Sequence, residues 1–321
     1  MNRLLTLARL AACFLCLEAS AWAAFQPFQP YPGADSVILN PFDPSDDGAL
    51  LLLALQPYYR AATGHGFAIQ DMPGRGGATA WIELAGREGS AYDLALTDLP
   101  NLALLSLARY PPYTLRDIRN ICVLASMPLV LWVTEESAAR DLHDLIDSAR
   151  ERPGQICLAG LGRGTIQHLA TLRFNRMAGV QFAFSPYTGT ASARQSVLDG
   201  KNQAFWGYPS AALAETGTCR PLAVAAEQRH ALFPDLPTFI ESGYGLLEKS
   251  YFGLAVSGQT NARVSVAVGT VFLELAANRN FQNAISAAGF TPIHVGASEL
   301  NNYLQRLLEY YARQREEYEL D

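Results

Sequence analysis

Beyond residue 23 the chain carries only three cysteines, Cys122, Cys157 and Cys219, and no Cys-x-x-Cys pair. Structural zinc and dithiol redox chemistry therefore lack a ligand set. An odd count excludes a complete disulfide framework in an oxidising compartment. One bridge remains open, with no pair preferred; Cys122 and Cys157 lie in apolar runs and read as buried thiols. The five histidines are scattered, and none has a metal-ligating partner at helical spacing. Neither Gly-x-Ser-x-Gly nor His-Glu-x-x-His occurs, so there is no nucleophile elbow and no zincin helix. Runs of basic residues are missing as well. With 24 Lys and Arg against 30 Asp and Glu, the chain has no nucleic-acid footprint and no membrane-surface patch. Past the N-terminal segment every apolar stretch is interrupted by Pro, Gly or charge before it could span a bilayer. Catalytic residues, metals and cofactors are not expected.

What is present begins with an export signal. Arg3 and Arg9 form a positive region, Leu10–Leu17 a short apolar core, and Ala21-Trp22-Ala23 a small-residue cleavage site. Residues 1–23 read as a cleavable signal peptide, the mature chain starting at Ala24 in the periplasm. Leu10-Ala11-Ala12-Cys13 is a second reading, lipidation, disfavoured because Arg9 leaves no apolar stretch upstream. Cleavage would remove Arg3, Arg9 and Glu18 and take the formal charge from −6 to −7. An anion bound by such a chain must be held by placed donors, because the overall field is mildly unfavourable. Half the residues are hydrophobic, and roughly 300 mature residues suffice for two domains with their own cores.

Strands and helices alternate along the chain. Short strands are expected at Val37–Leu39, Phe67–Gln70, Tyr92–Leu96, Ile118–Ala125, Leu129–Thr134, Ile156–Ala159, Gln181–Phe184, Gln203–Trp206 and Leu222–Ala225. Helices are expected at Ala49–Ala62, Ala78–Ala85, Leu142–Arg150, Ile166–Met177, Ala262–Ala277 and Glu299–Tyr318, with Pro57 kinking or interrupting the first. Such alternation implies parallel sheets covered on both faces.

The strongest single motif is Gly160-Leu161-Gly162-Arg163-Gly164-Thr165, between an apolar strand and a helix. That arrangement aims backbone amides and a helix N-terminus at an anion. A nucleotide reading fails, because the third glycine and the acidic residue near Gln181 are missing. A second glycine loop, Pro73-Gly74-Arg75-Gly76-Gly77, also precedes a helix. Either loop alone is explained by positive φ and close packing; two of them, with Tyr187-Thr188-Gly189, favour ligand binding. Thr165 reads as a helix cap or a ligand donor, and Thr97 and Asp98 as cleft residues or caps for the next segment. Trp206 and Tyr208 read as core or cleft wall, His168 as a core or surface residue. Asp43-x-Ser45-x-Asp47-Gly48 matches half of an EF-hand loop, but Ala54 stands where its last ligand, Glu, belongs. Glu135-Glu136 reads as a solvated turn.

Four ordered stretches resemble the extracytoplasmic solute receptors of tripartite tricarboxylate transporters, the Bug receptors. They are Asn40-Pro41-Phe42-Asp43-Pro44; Met72 to Ala78; Gly162 to Thr165 with His168-Leu169-Ala170 and Ser185 to Gly189; and Leu222 to Arg229 with Phe233-Pro234-Asp235-Leu236-Pro237-Thr238 and Glu241-Ser242-Gly243. The resemblance implies a type II, Venus-flytrap α/β binding protein, each lobe a mostly parallel sheet flanked by helices. It implies residues 24–127 and 238–321 in one lobe and 128–237 in the other, closing about Ala125–Leu129 and Leu236–Thr238. A small carboxylate would bind between the lobes and pass to membrane transporter subunits, the receptor being a monomer. The alternative is a sensing module presenting its solute to a signalling partner.

Carried onto this sequence, the ligand contacts fall at Phe42, Asp43 and Ser45; at Gly74, Gly76 and Gly77; at Gly162, Arg163, Gly164 and Thr165; and at Tyr187, Thr188 and Gly189. Thr97 and Asp98 join them as candidates from their place at a strand end, with the cap as the equal alternative. Two positions depart from the family. Arg163 replaces a small or polar residue and could pair with a ligand carboxylate or stand in solvent. Ser45-Asp46-Asp47 replaces glycines. There the favoured reading makes Asp46 the N-cap of its own helix; the competing one turns Asp43 or Asp46 to the cleft to select an ammonium group.

Overall fold

The computed structural model describes residues 31–211 and 217–320. The signal-peptide and lipidation readings fall outside them. Apolar strands at the N-terminus lay down the first sheet: β1 (Ser36–Asn40), β2 (Phe67–Asp71), β3 (Asp93–Asp98) and β4 (Ile118–Pro128). Between them run helices α1 (Asp47–Thr63), α2 (Ala78–Gly86) and α3 (Leu99–Ser106). Helix α1 buries Leu51, Leu52, Leu55 and Tyr59, at the spacing of one face. It runs through Pro57 without interruption. Pro57 and Leu53, four residues before it, both lie on the solvent side, where the carbonyl that loses its amide can be hydrated.

The second sheet begins at β5 (Val130–Thr134) and adds β6 (Cys157–Leu161), β7 (Ala183–Tyr187), β8 (Ala204–Gly207) and β9 (Cys219–Val224). Helices α4 (Leu142–Glu151), α5 (Ile166–Ala178) and α6 (Thr190–Leu198) connect them. The chain then returns to the first sheet as β10 (Lys249–Ser257) and β11 (Thr291–Gly296), with α7 (Ala262–Ala276), α8 (Arg279–Ala287) and α9 (Ala297–Glu317). Strand orders are β11-β4-β10-β3-β1-β2 and β7-β6-β8-β5-β9.

Both sheets are mixed, where mostly parallel ones were expected. β1 pairs in parallel with β2 and β3, and β6 with β7 and β8. β10, however, is antiparallel to β3 and β4, and β5 is antiparallel to β8 and β9. The cause is the double crossing. A chain that leaves a sheet on β4 and comes back beside it on β10 must return in the opposite sense.

At the crossing three residues share main-chain hydrogen bonds. Leu129 N donates to Glu248 O at 2.9 Å, Ala225 N to Leu129 O at 2.8 Å, and Glu248 N to Ala225 O at 3.1 Å. Further along, Thr238 bridges Val224, and Phe239 stacks on Trp206 and lies edge-on to Phe174. The first sheet resumes only at Lys249. Beside this junction the Glu248 carboxylate, almost fully buried, forms a salt bridge with Arg173 of α5. Among the described residues no helix is long and apolar enough to cross a membrane.

Candidate functional site

The loops that follow the strand ends meet between the two sheets. Gly76 and Gly162 touch across the boundary: a Cβ built on Gly162 would lie 3.3 Å from Gly76 N, and one on Gly76 would lie 2.8 Å from the Thr165 methyl. Gly74, Gly76, Gly77, Gly162 and Gly164 all have positive φ. At Gly76 and Gly162 glycine therefore serves both the turn and the close approach. Thr165 is fully buried. Its hydroxyl donates back to Leu161 O at 2.5 Å and Gly162 O at 2.9 Å, so it caps no amide of α5.

The amide that Thr165 leaves open is taken by the other lobe. Ile166 N, the first of α5, donates to Asn101 Oδ1 at 2.9 Å. The Asn101 amide donates in turn to Asp98 Oδ2 at 2.7 Å. Ser250 Oγ donates to the same oxygen at 2.8 Å and lies 2.7 Å from the Tyr208 hydroxyl. Asp98 thus ties the start of α3 to β10, and burial raises its carboxyl to about 7. Thr97 is buried beside it, its hydroxyl without a hydrogen-bond partner. Tyr208 forms part of the cleft wall, whereas Trp206 is core, its indole N–H donating to Thr171 Oγ1 at 2.8 Å.

A second helix start is filled in the same way. Gly189, at the N-cap of α6, has no side chain to offer. Both oxygens of Asp46 reach it from the first lobe: Thr190 N donates to Oδ2 at 3.1 Å and Ala191 N to Oδ1 at 2.7 Å. Asp46 does stand at the N-cap position of α1, yet its side chain makes no capping bond there. The expected self-cap is therefore corrected: the carboxylate caps the helix opposite, whose dipole and bare amides offer a stronger seat. Burial raises Asp46 to about 7, the Ala191 amide opposes this, and Asp47 and Asp43 add to it. Asp47, next along, accepts from Ser210 Oγ and is raised by burial to about 6, against the pull of Ser210 and Arg194.

The remaining sequence-predicted residues are placed as follows. Phe42 is buried and packs edge-on to Phe252 under the cleft. Asp43 accepts from Ser45 N at 3.1 Å and Ser45 Oγ at 2.7 Å, a local turn in which Asp43 is half-buried and Ser45 exposed. Arg163 is exposed. Tyr187 accepts from Asn202 at 2.8 Å, and Thr188 is exposed, 3.3 Å from Ser192 Oγ. His168 is core: its Nδ1 faces the Gly164 amide at 3.3 Å, and burial, then the Arg163 charge, lower it to about 4. Among the described residues no three His, Cys, Asp or Glu are grouped to hold a metal, and Cys122, Cys157 and Cys219 form no disulfide with one another. Asn101, Ser250, Thr190 and Ser210 were not anticipated. For Asn101 a signal existed, Asp-x-x-Asn at a strand end, the spacing of a helix-start hydrogen bond.

Little space remains at the centre. Phe42, Asp46, Leu161, Thr190, Tyr208 and Phe252 enclose about 10 Å³, no more than a single water requires. Alongside Asp46 a wider cavity of about 390 Å³ is bounded by Leu50, Leu53, Thr190, Arg194, Ser210 and Ala288.

Two helix-flanked mixed sheets, joined by a double crossing and meeting over opposed glycine loops, define a two-lobed α/β binding-protein fold. The model of the tripartite tricarboxylate transporter family receptor matches residues 58–316, and the chain belongs to that family. The family is one of receptors. The match begins beyond the loop that carries Asp46. A curated relative from Cupriavidus necator, the UPF0065 protein in the gbd 5′ region, is 25% identical over 232 residues, covering 72% of this chain and 71% of its own length. The solved structure of the periplasmic binding protein BugD superposes with a TM-score of 0.84 at 20% identity, over 91% of this chain and 99% of that one. R. palustris Rpa4515, solved with adipate, gives 0.83 at 22%, over 89% and 97%.

Proposed function

We propose that this chain is a periplasmic receptor, exported on a cleaved signal peptide, that captures a small carboxylate between its lobes and delivers it to the membrane subunits of a tripartite carrier. We take it to act as a monomer, with residues 31–128 and 249–320 in one lobe and 129–248 in the other. The observation that supports this most is the convergence of two glycine loops and the N-termini of α5 and α6 on one interlobe surface. Helix starts supply the oriented amides that a carboxylate needs, in a chain whose net charge offers no help. The ligand contacts we assign are the loops at 74–77, 162–165 and 187–189, with Phe42, Asp43 and Ser45 on the facing side, Thr97 and Asp98 at the floor and Arg163 at the rim. Adipate bound to Rpa4515 marks aliphatic dicarboxylates as the first solutes to try.

Thermal unfolding of the mature protein across mono-, di- and tricarboxylates and amino acids, to millimolar concentration, tests this. A solute bound only by the folded state raises the midpoint with its concentration. Indifference to every carboxylate would remove the reading.

A further inference from the structure

We propose that Asp46 is a tethered ligand: its carboxylate fills the anion seat at the start of α6, the lobes close on it without solute, and a solute carboxylate enters that seat only when Asp46 leaves.

Three observations converge. Both carboxylate oxygens are hydrogen-bonded to the first two amides of α6, which belongs to the other lobe. That bidentate arrangement on paired amides is how a helix start holds a free carboxylate. The seat itself is filled: even the Cβ of an alanine at Gly189 would lie 2.2 Å from Asp46 Oδ2, the chamber toward Phe42 and Tyr208 encloses only about 10 Å³, and a solute carboxylate coming from the 390 Å³ cavity alongside would find both amides taken. Finally, among the described residues the Asp46 carboxylate bonds to the second lobe alone. Asp46 makes no side-chain bond to its own helix, and Asp43, not Asp46, ties the preceding turn through Ser45. Asp47 holds the next turn of the same interface through Ser210, so this loop is a pair of cross-lobe anchors. In the same way that one solute carboxylate would bridge the lobes, Asp46 bridges them from within.

This inference rests on the carboxylate-receptor reading for the identity of the competing solute, not for closure. Its test uses the mature protein, Asp46→Gly, which removes the carboxylate, and Thr190→Pro, which removes one donor at a position where proline is tolerated in a helix. Circular dichroism checks folding, small-angle scattering measures the radius without solute, and calorimetry measures adipate binding. We expect the unmodified protein to be compact without solute and both variants to be larger. Adipate should bind Asp46→Gly on the order of tenfold more tightly than the unmodified chain, since an occupied state taxes apparent affinity. Thr190→Pro should open without that gain, because the solute loses the same donor. If Asp46→Gly opens and no carboxylate binds either protein, closure on Asp46 stands and the carboxylate reading falls. If Asp46→Gly stays as compact as the parent, or if adipate binds both with equal affinity, the tethered-ligand proposal is wrong. Should Asp46→Gly fail to fold, an unchanged radius in Thr190→Pro overturns it.

Discussion

Asn101 stands in the first lobe and Ile166 in the second, yet the Asn101 side-chain carbonyl is the cap of the helix that Ile166 begins, at 2.9 Å. Its amide is committed at the same time to Asp98, at 2.7 Å. Truncation removes both bonds; it leaves the buried helix amide without its acceptor and Asp98 Oδ2 with Ser250 as its one remaining side-chain donor. Asn101→Ala should lower the unfolding free energy by about 1–3 kcal/mol, the cost of orphaned buried polar groups. Urea titration followed by tryptophan fluorescence would measure it, and an unchanged midpoint would show that water caps α5 equally well.

The contact of Gly76 with the opposite loop gives a paired prediction. Gly76 and Gly64 both have positive φ, +67° and +75°. A Cβ on Gly64 meets nothing within 4 Å, whereas one on Gly76 meets the Thr165 methyl at 2.8 Å. Gly64→Ala should therefore cost only the left-handed backbone penalty, roughly 1–2 kcal/mol. Gly76→Ala should cost more and enlarge the particle in small-angle scattering. Equal costs and equal radii would mean that the loops part freely.

Glu248 and Arg173 form a salt bridge whose side chains are 3% and 12% exposed. Removing one partner of such a pair strands the other. Glu248→Ala should destabilise the fold by about 3–5 kcal/mol, while replacing both residues with apolar ones of similar volume should restore much of that. Denaturant unfolding of the two single variants and the double variant would show whether the pair is coupled.

Acidity should stabilise this protein across neutrality. Burial raises Asp46 and Asp98 to about 7 and Asp47 to about 6, against an unfolded carboxyl near 3.8. The folded state therefore binds protons more tightly than the unfolded chain between roughly pH 4 and 7. Their contribution is full below that window and is lost as pH rises through it. His168, lowered to about 4, and His230, also lowered by burial, act in the opposite sense below about pH 6.5. The clear interval thus begins at about pH 6.5, above the histidine region, and there the melting temperature should fall as pH rises through 7. In Asp46→Asn that slope should flatten; a slope identical to the parent would show that Asp46 does not titrate there.

Much of the architecture is legible along the chain, because apolar runs and glycines are local signals. The strand Cys157–Leu161, its glycine loop and the helix from Ile166 fall where the residues indicate. The central strand Lys249–Ser257 was missed, along with β11 and α8. Gly253 interrupts its apolar pattern, and that glycine makes sense only against its partner: a Cβ there would lie 2.3 Å from the Cys122 carbonyl oxygen. The site divides in the same way. Positive-φ glycines announce themselves, whereas the destination of the Asp46 carboxylate, 144 residues away at Thr190, does not. An aspartate before a helix signals a cap, but the local sequence is silent about which helix receives it.

The bond from Asp46 to Ala191 also bears on how such a receptor would report its surroundings. A competitor carried on the same chain is never diluted; it acts at an effective concentration on the order of millimolar, whatever the volume outside. Solute must outbid that standing occupant, so the response would have a floor set by chain geometry and insensitive to how many receptors the cell makes.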